Sequence, residues 1–139
     1  MRIFFDANIL FSAAKSAGAL RGFLGHLRDC GHTLVADAYV VDEAGRNIEA
    51  KFPAALDDFE TLLGQIEIYP GACRALPGET APELPEKDRP VLAAAIQLRC
   101  NALVTGDKTH FGALYGQHIE GVMIHSPASL ARELHEKAE

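Results

Sequence analysis

Short apolar runs alternate with amphipathic stretches along most of this chain. The apolar runs predict five strands, at residues 2–5, 33–36, 66–69, 102–105 and 121–125. Between them apolar side chains recur at helical spacing, as they do at Leu20, Phe23, Leu24 and Leu27. Strands that are separated by helices pair in parallel through right-handed crossovers, and helices then cover both faces of the sheet. The pattern predicts a three-layer α/β/α fold with a central parallel sheet of about five strands.

Capping residues and prolines predict where several helices begin. Asp37, Asp88 and Ser126 stand at N-cap positions, where a side-chain oxygen can accept a hydrogen bond from a free backbone amide. Pro53 predicts the start of a further helix, because proline is tolerated in a first turn. Residues 70–87 contain four prolines and are predicted to form a loop with at most a short helix.

Length and hydrophobic content bound the architecture. The chain has 139 residues, of which 48% are hydrophobic, so it can bury one sizeable core, and we expect a single domain over residues 1–139. No apolar run approaches the roughly 20 residues that a membrane span requires. The opening MRIFF has one basic residue and a very short apolar stretch, which does not resemble a secretory signal. We therefore expect a cytoplasmic protein with no membrane partner.

Charge and cysteine content narrow the function classes. The chain has 19 acidic and 13 basic residues and a net charge of −6, which counts against a nucleic-acid binder with a basic footprint. The negative charge counts less against a nucleic-acid binder if several of the acids surround bound divalent cations, because the cations cancel part of the local negative field. Cys30, Cys73 and Cys100 are widely spaced and form no C-x-x-C pair, so neither a zinc site nor a disulfide framework is expected.

Three acids stand close to the predicted carboxyl edge of the sheet, where parallel sheets bind ligands. Asp6 follows the first strand directly, Asp107 follows the fourth, and Asp88 opens a helix that leads back into the sheet. Each also has a simpler role, because Asp6 and Asp88 suit N-caps and the pair at 106–107, Gly-Asp, suits a turn. Burial of an unpaired carboxylate is costly, so Asp6 in particular calls for a partner.

Helix geometry predicts a fourth acid at this edge. In the helix that follows Asp37, the apolar face consists of Val40, Val41, Ala44 and Ile48. At roughly 100° per residue, Glu43 lies nearer this face, whereas Asp42 points almost away from it. Glu43 is therefore the better candidate for a cleft, and Asp42 remains the alternative.

Carboxylates that converge in this way repel one another, and a bound cation relieves the repulsion. A donor set made of oxygens suits Mg²⁺ or Mn²⁺ far better than zinc or copper. Two such ions roughly 4 Å apart can activate water and stabilise the attacking and leaving oxygens of an in-line phosphoryl displacement. The acids therefore predict a site for metal-dependent phosphoryl chemistry.

Four segments of the chain resemble the motifs of one family. FFDANIL, YVVDEAGRNI, KDRPVLAAAI and LVTGDKTHF are similar, in this order, to motifs of PIN domains, which include the VapC-type toxins of bacteria and archaea. The resemblance covers nearly the whole chain, because VMIHSPASLAREL also looks like the last strand and helix of the family. Each motif is short and degenerate, but four in order at suitable spacing form a specific signal.

The resemblance implies a PIN-like fold and metal-dependent hydrolysis of RNA phosphodiester bonds. It assigns the Mg²⁺ or Mn²⁺ ligands to an acidic quartet, Asp6, Glu43, Asp88 and Asp107. It also implies that Asn8 and Thr105 orient ligands or water. The partners that it implies are an RNA substrate, an antitoxin protein of a toxin–antitoxin pair, and a second copy of the chain in a homodimer.

The chain departs from the family pattern after TGD, where many members carry another acid or Asn. Lys108, Thr109 and His110 stand there instead, so a site of three or four ligands is expected rather than one of five, and the number of metal ions stays open. His110 stands near the predicted site and could contact phosphate, but we expect a solvated loop histidine. Basic residues are scattered and do not interleave with aromatic residues, so no platform for stacking bases is expected.

Two other functions remain as alternatives. The first is a PIN-like RNA- or protein-binding module without catalytic turnover, although retention of all four acids argues against it. The second is a haloacid dehalogenase-like phosphatase with Asp6 as the nucleophile. Such phosphatases need a second acid two residues further on, and Asn8 occupies that position here.

Overall fold

The computed structural model describes residues 1–138. Within this range six strands form one sheet: β1 (Arg2–Phe5), β2 (Thr33–Asp37), β3 (Glu67–Tyr69), β4 (Ala102–Val104), β5 (His118–Ile119) and β6 (Val122–His125). Their order is β3-β2-β1-β4-β6-β5. All neighbours pair in parallel except β5 and β6, which are antiparallel. The five predicted strands are thus present, and their parallel pairing is confirmed.

Helices connect and flank these strands. The α-helices of the described residues are α1 (Ala7–Lys15), α2 (Ala19–Asp29), α3 (Ala38–Lys51), α4 (Leu56–Leu63), α5 (Arg89–Gln97), α6 (Lys108–Phe111) and α7 (Pro127–Ala138). Short 3-10 turns occupy Pro53–Ala55, Glu86–Asp88 and Gly112–Leu114. The helix predicted at Pro53 therefore begins as a 3-10 turn that leads into α4. The last residue of the predicted closing helix and of the predicted domain, Glu139, lies outside the described residues. None of the described helices is long and apolar enough to cross a membrane.

The inner strands are buried on both faces. Ile3, Phe4 and Phe5 are all fully buried, and successive side chains of a strand point to opposite faces of the sheet. Both faces of β1 are therefore covered by helices, as parallel sheets require. This confirms the three-layer α/β fold.

The strand β5 is the element that the sequence did not predict. Ile119 pairs with Val122 across a two-residue connection, Glu120 and Gly121, whose φ angles are 50° and 87°. Two positive φ values are the requirement of the type I′ hairpin turn, which reverses the chain and makes this edge antiparallel. Two residues are too short a run to show an alternating pattern, so the pattern of apolar positions could not predict β5.

Predicted caps explain how α3 and α7 begin. The side chain of Asp37 accepts a hydrogen bond from the Val40 amide at 3.1 Å, and Ser126 Oγ accepts one from the Ser129 amide at 3.1 Å. Both predicted N-caps are confirmed. Residues 70–85 form neither helix nor strand, as their prolines indicated.

The strand order reverses at β1, which creates a crevice at the carboxyl edge of the sheet. From β1 the chain crosses to β2 on one side, while β4 pairs with β1 on the other. The backbone amide of Asp6 donates to the carbonyl of Val104 at 3.0 Å, so the ends of β1 and β4 stay together beyond their paired residues. Open α/β sheets bind their ligands at such a reversal.

Candidate metal centre

Asp6 lies in this crevice, at the end of β1, and is 4% exposed. Its Oδ1 accepts a hydrogen bond from the Ala7 amide at 2.8 Å, so the predicted capping role at the start of α1 is confirmed. Its Oδ2 accepts a hydrogen bond from the Thr105 hydroxyl at 2.8 Å. The cap therefore uses one of the two oxygens, and the other is turned toward the loop that follows β4.

The surroundings of Asp6 disfavour its charge. Burial raises the pKa of Asp6 to about 6, and the hydrogen bonds from Thr105 and the Ala7 amide oppose this rise only in part. The charges of Asp88 and Glu43 raise the pKa further. A rise of roughly two pKa units means that the folded protein disfavours the ionised form of Asp6 by about 3 kcal/mol, compared with a carboxyl group in water. A positive charge beside Asp6 would relieve this penalty.

Thr105 and Asn8 join the start of α1 to the loop after β4. The Thr105 hydroxyl accepts hydrogen bonds from the Asp107 amide at 3.2 Å and from Asn8 Nδ2 at 3.3 Å. Asn8 Nδ2 also donates to Asp6 Oδ2 at 3.3 Å, and Asn8 Oδ1 accepts from the Gly106 amide at 2.8 Å. A Cβ atom at Gly106 would lie 3.3 Å from Asn8 Oδ1, so the close approach favours glycine there. The hydrogen-bonding groups of Asn8 and Thr105 are thus engaged inside the protein.

Asp88, Asp107 and His110 form a cluster beside Asp6. One oxygen or nitrogen from each of the three lies within 4.8 Å of the others. His110 Nδ1 is 2.9 Å from Asp88 Oδ2 and 2.8 Å from Asp107 Oδ2. Asp107 Oδ1 accepts a hydrogen bond from the His110 amide at 3.1 Å and so caps α6.

Asp88 precedes α5 as predicted, but its side chain caps no amide of that helix. The 3-10 turn Glu86–Asp88 leaves Asp88 with φ −98° and ψ −13°, whereas a capping residue is extended. Asp88 Oδ2 is buried and makes no aligned hydrogen bond among residues 1–138, although His110 Nδ1 lies 2.9 Å from it. Burial raises the pKa of Asp88, and the Asp107 charge adds to this, while His110 and Lys87 lower it. The simpler role predicted for Asp88 is therefore wrong.

His110 corrects a second prediction. It was expected in a solvated loop, but it lies on α6 with a side chain that is 26% exposed and placed between two carboxylates. Its partner Asp88 is 22 residues earlier in the chain, so the sequence does not reveal this contact. The three-residue spacing from Asp107, the length of one capped turn, is the signal that was available.

Glu43, and not Asp42, faces the other acids. Glu43 lines the open cleft together with Asn8, Gly106 and Asp107, and its charge acts on Asp6. The charge of Asp42 acts instead on Asp37 at the end of β2. The structure thus brings all four predicted acids to one edge of the sheet and leaves Asp42 beside them but turned elsewhere.

Sequence reasoning missed Tyr39, which lies one turn before Glu43. Its hydroxyl donates to the carbonyl of Lys87 at 2.6 Å and so ties α3 to the turn that carries Asp88. Burial raises the pKa of Tyr39, as do the charges of Glu43, Asp88 and Asp6. The four-residue spacing from Glu43 places both side chains on one helix face and was the available signal.

Two solved structures share this architecture. A chain of VapBC2 from Rickettsia felis, in a structure bound to a DNA fragment from the promoter, is 17% identical with a TM-score of 0.66, and the match covers 91% of this chain and 98% of that chain. A chain of VapBC-1 from nontypeable Haemophilus influenzae is 12% identical with a TM-score of 0.58, and covers 92% and 99%. No protein-family model and no curated protein matches the sequence significantly.

The chain has a PIN-like fold. The resemblance that its four motifs indicated is confirmed at the level of the fold, and the six-stranded sheet with helices on both faces agrees with it. Sequence identities this low support similarity of the fold alone. The chemistry of this PIN-like chain must therefore be inferred from its own residues.

The donor set of the PIN-like chain fits a hard divalent cation. The protein compensates the buried charge of Asp6 only in part, and Asp88 Oδ2 is buried with His110 Nδ1 2.9 Å away but with no aligned hydrogen bond. Carboxylate oxygens are the ligands that Mg²⁺ and Mn²⁺ prefer. The cluster of Asp88, Asp107 and His110 has the size and chemistry to hold a metal ion.

Proposed function

We propose that this PIN-like chain is a ribonuclease that depends on Mg²⁺ or Mn²⁺ and hydrolyses RNA phosphodiester bonds. One observation carries the proposal: four separate segments bring Asp6, Glu43, Asp88 and Asp107 to a single crevice. The raised pKa values of Asp6 and Asp88 add support, because burial disfavours both charges, neighbouring acids disfavour them further, and a bound cation would relieve this.

In this proposal the four acids hold the cation, and Thr105 and Asn8 are positioning residues. Their hydrogen bonds fix Asp6 against the loop that carries Asp107. A bound divalent cation supplies activation of water and stabilisation of the charge that develops on phosphate oxygens. The cleft beside the acids is open rather than enclosed, and its lining by Asn8, Ser12 and Glu43 leaves room for an extended polymer.

The test is cleavage of RNA by purified protein with Mg²⁺ or Mn²⁺. Asp6→Asn and Glu43→Gln are each expected to lower the rate at least roughly 100-fold, beyond the 10- to 100-fold typical of groups that only support a ligand. Asp42→Asn is the matched control, because it neutralises the adjacent acid on the same helix and should keep the wild-type rate. Equal cleavage by wild type and Asp6→Asn would sink the assignment.

We also propose that the chain works as the toxin of a toxin–antitoxin pair and forms a homodimer. The support is the fold that it shares with chains of two VapBC structures, together with a net charge of −6 that suits a basic partner protein. Expression of the chain alone is expected to arrest growth, and co-expression of a small antitoxin protein encoded beside it to relieve the arrest. Growth arrest by Asp6→Asn at the same protein level would contradict this part of the proposal.

A metal titration separates the nuclease from a binding module without turnover. Calorimetry with Mn²⁺ should give saturable heat with wild type and little with Asp6→Asn, whereas absence of heat with wild type favours the module. The phosphatase alternative has less support, because Asn8 occupies the position two residues after Asp6 where such phosphatases need a second acid. A phosphoaspartate trapped on Asp6 and detected by mass spectrometry would restore it.

A further inference from the structure

Two phenylalanines and two lysines meet where the carboxyl-terminal halves of α1 and α3 pack together. The ring centroids of Phe11 and Phe52 are 5.7 Å apart, with an interplanar angle of 54°. Lys15 Nζ lies 5.5 Å from the Phe11 centroid and 5.8 Å from the Phe52 centroid. Lys51 Nζ lies 5.8 Å from the Phe11 centroid. We call these four residues the Phe–Lys platform.

Much of the platform is accessible to solvent. Phe52 is 44% exposed, and both lysines are exposed as well. Neither lysine forms an ion pair within residues 1–138, although the chain carries six more acidic than basic charges. An exposed ring beside two unpaired cations presents a flat apolar surface and positive charge at the same place. That combination matches the base and the phosphates of a nucleotide.

Helix geometry connects the platform with the acidic crevice. On α1, Asn8, Ser12 and Lys15 follow one another at spacings of four and three residues and so share a face. At 1.5 Å per residue, Lys15 lies about 10 Å along α1 from Asn8. Asn8 and Ser12 both line the cleft that contains Asp107, so this face of α1 runs from the cleft to the platform.

The same relation holds on the neighbouring helix. Glu43, Asn47 and Lys51 are spaced four residues apart on α3, and Lys51 lies about 12 Å along the axis from Glu43. A polymer that crosses the crevice can therefore follow the line between α1 and α3 and reach the platform within a few nucleotides.

We propose that the Phe–Lys platform binds single-stranded RNA on one side of the scissile bond, with a base stacked on Phe52 and phosphates at Lys15 and Lys51. The inference rests on the proposed ribonuclease function and adds the surface on which the RNA substrate lies beyond the cleavage site. A single strand is required because only an unpaired base exposes its face for stacking. The expectation of no base-stacking platform followed from the lack of interleaved aromatic and basic residues along the sequence, whereas the two halves of this platform are 36 residues apart in the chain and meet only through folding.

Binding can be measured without cleavage. A fluorescein-labelled oligouridylate of about eight nucleotides, within the site sizes usual for single-strand binders, is titrated with protein in EDTA and followed by anisotropy. Phe52→Ala is expected to weaken binding roughly 5- to 100-fold, as loss of one stacking side chain does, without change in its salt dependence. The double variant Lys15→Gln/Lys51→Gln is expected to lower the slope of log K against log salt by about 1.4, or about 0.7 for each phosphate contact.

Matched controls separate stacking from general surface effects. Ile68→Ala removes an apolar side chain that is also 44% exposed, on β3, and Lys137→Gln removes an exposed lysine of α7. Neither should change the affinity. Phe52→Trp should preserve or improve binding, whereas Phe52→Leu, which keeps apolar bulk without an aromatic face, should behave like Phe52→Ala. Thermal unfolding of each variant checks that the fold is retained.

Several outcomes would overturn the inference. These are no binding of the oligonucleotide by wild type, equal affinity for a duplex of the same length, or unchanged affinity in both platform variants. Competition by polyglutamate that depends equally on Phe52 and the lysines would identify a site for acidic protein instead. Because the assay contains no metal and no turnover, a failure of RNA cleavage contradicts only the proposed activity. Normal cleavage with unaltered binding in the platform variants contradicts only the platform.

Discussion

Asp6 is the residue at which folding and the proposed chemistry conflict. The fold buries its carboxylate and raises its pKa to about 6, and two hydrogen bonds compensate only part of this. A protein selected only for stability would place a neutral residue here, because an uncompensated buried charge lowers stability. The conflict has a measurable consequence in the metal-free protein.

Replacement of Asp6 by Asn is expected to stabilise the metal-free protein at neutral pH. Because the folded pKa of Asp6 is about 6 and the unfolded value is near 3.8, its contribution to stability is fully present below about pH 4 and is lost as pH rises through 6. Asn removes this loss, so Asp6→Asn should gain on the order of 1–3 kcal/mol at pH 7 and show a flatter pH profile. The raised pKa of Asp88 acts in the same direction in both proteins.

Chemical unfolding in EDTA, repeated between about pH 4.5 and 7.5, measures this difference. The difference in stability between wild type and Asp6→Asn should shrink toward the acidic end, where Asp6 is protonated in the folded state and partly protonated in the unfolded state. An Asp6→Asn protein that is less stable than wild type at pH 7 would contradict the electrostatic account. Ser12→Ala, at a cleft position without a charge, serves as the control.

At the scale of elements, the crevice depends on contacts between segments that are distant in the chain. The 3-10 turn Glu86–Asp88 follows a long irregular segment, residues 70–85, that contains no helix or strand to fix the turn. Two contacts do so: the Tyr39 hydroxyl on the Lys87 carbonyl, and the Arg89 guanidinium on the carbonyls of Pro77, Thr80 and Ala81. The position of Asp88 is therefore set by side chains of the neighbouring elements.

Tyr39→Phe is expected to loosen Asp88 while leaving the fold in place. It removes one hydrogen bond at the surface, which should lower stability by about 0.5–1.5 kcal/mol. Because Tyr39 supports the turn that carries a proposed ligand, we expect Mn²⁺ affinity to fall roughly 10-fold. Calorimetric titration with Mn²⁺ measures the change.

Tyr69→Phe is the control for this prediction. It removes a hydroxyl that contacts Glu67 and Arg2 on β3 and β1, away from the crevice. Its Mn²⁺ affinity should equal that of wild type. Equal affinity in Tyr39→Phe as well would show that the hydrogen bond to Lys87 does not position Asp88.

The elements were predictable where one local signal decides the structure. Asp37 and Ser126 were identified as caps because a capping hydrogen bond involves residues within one turn. Asp88 was misjudged as a cap because the preceding turn, which sets its backbone angles, has no sequence pattern of its own. His110 and the Phe–Lys platform were missed since their partners come from other elements. Local periodicity carries no information about such pairs.

At the scale of the whole molecule, the order of strands brings the proposed ligands together. Asp6 and Asp107 follow adjacent strands of the sheet, while Glu43 lies in the second turn of α3 and Asp88 directly precedes α5, and both helices start at the same edge. A ligand that binds all four should therefore stabilise the fold as a whole, because it connects elements from both halves of the chain.

Mn²⁺ is expected to raise the unfolding temperature of the wild-type protein. A ligand present at 100 times its dissociation constant adds about 2.7 kcal/mol to the free energy of unfolding. The increase should be larger near pH 7.5 than near pH 5, since protons compete with the metal for the carboxylates. Differential scanning fluorimetry in buffers of fixed ionic strength measures it, and an equal increase in Asp6→Asn would place the ion elsewhere.

The two edges of the sheet limit how copies of this protein can associate. β3 has three residues, with Glu67 held 3.8 Å from Arg2 and Pro70 directly after the strand, and β5 has only two. Edge strands this short offer few unpaired backbone groups with which a strand of a neighbouring chain could form hydrogen bonds. Pro70 offers no amide donor at all. A homodimer should therefore form through helix surfaces. Strand exchange and growth of an intermolecular sheet are correspondingly disfavoured, even at the high local concentrations that overexpression produces.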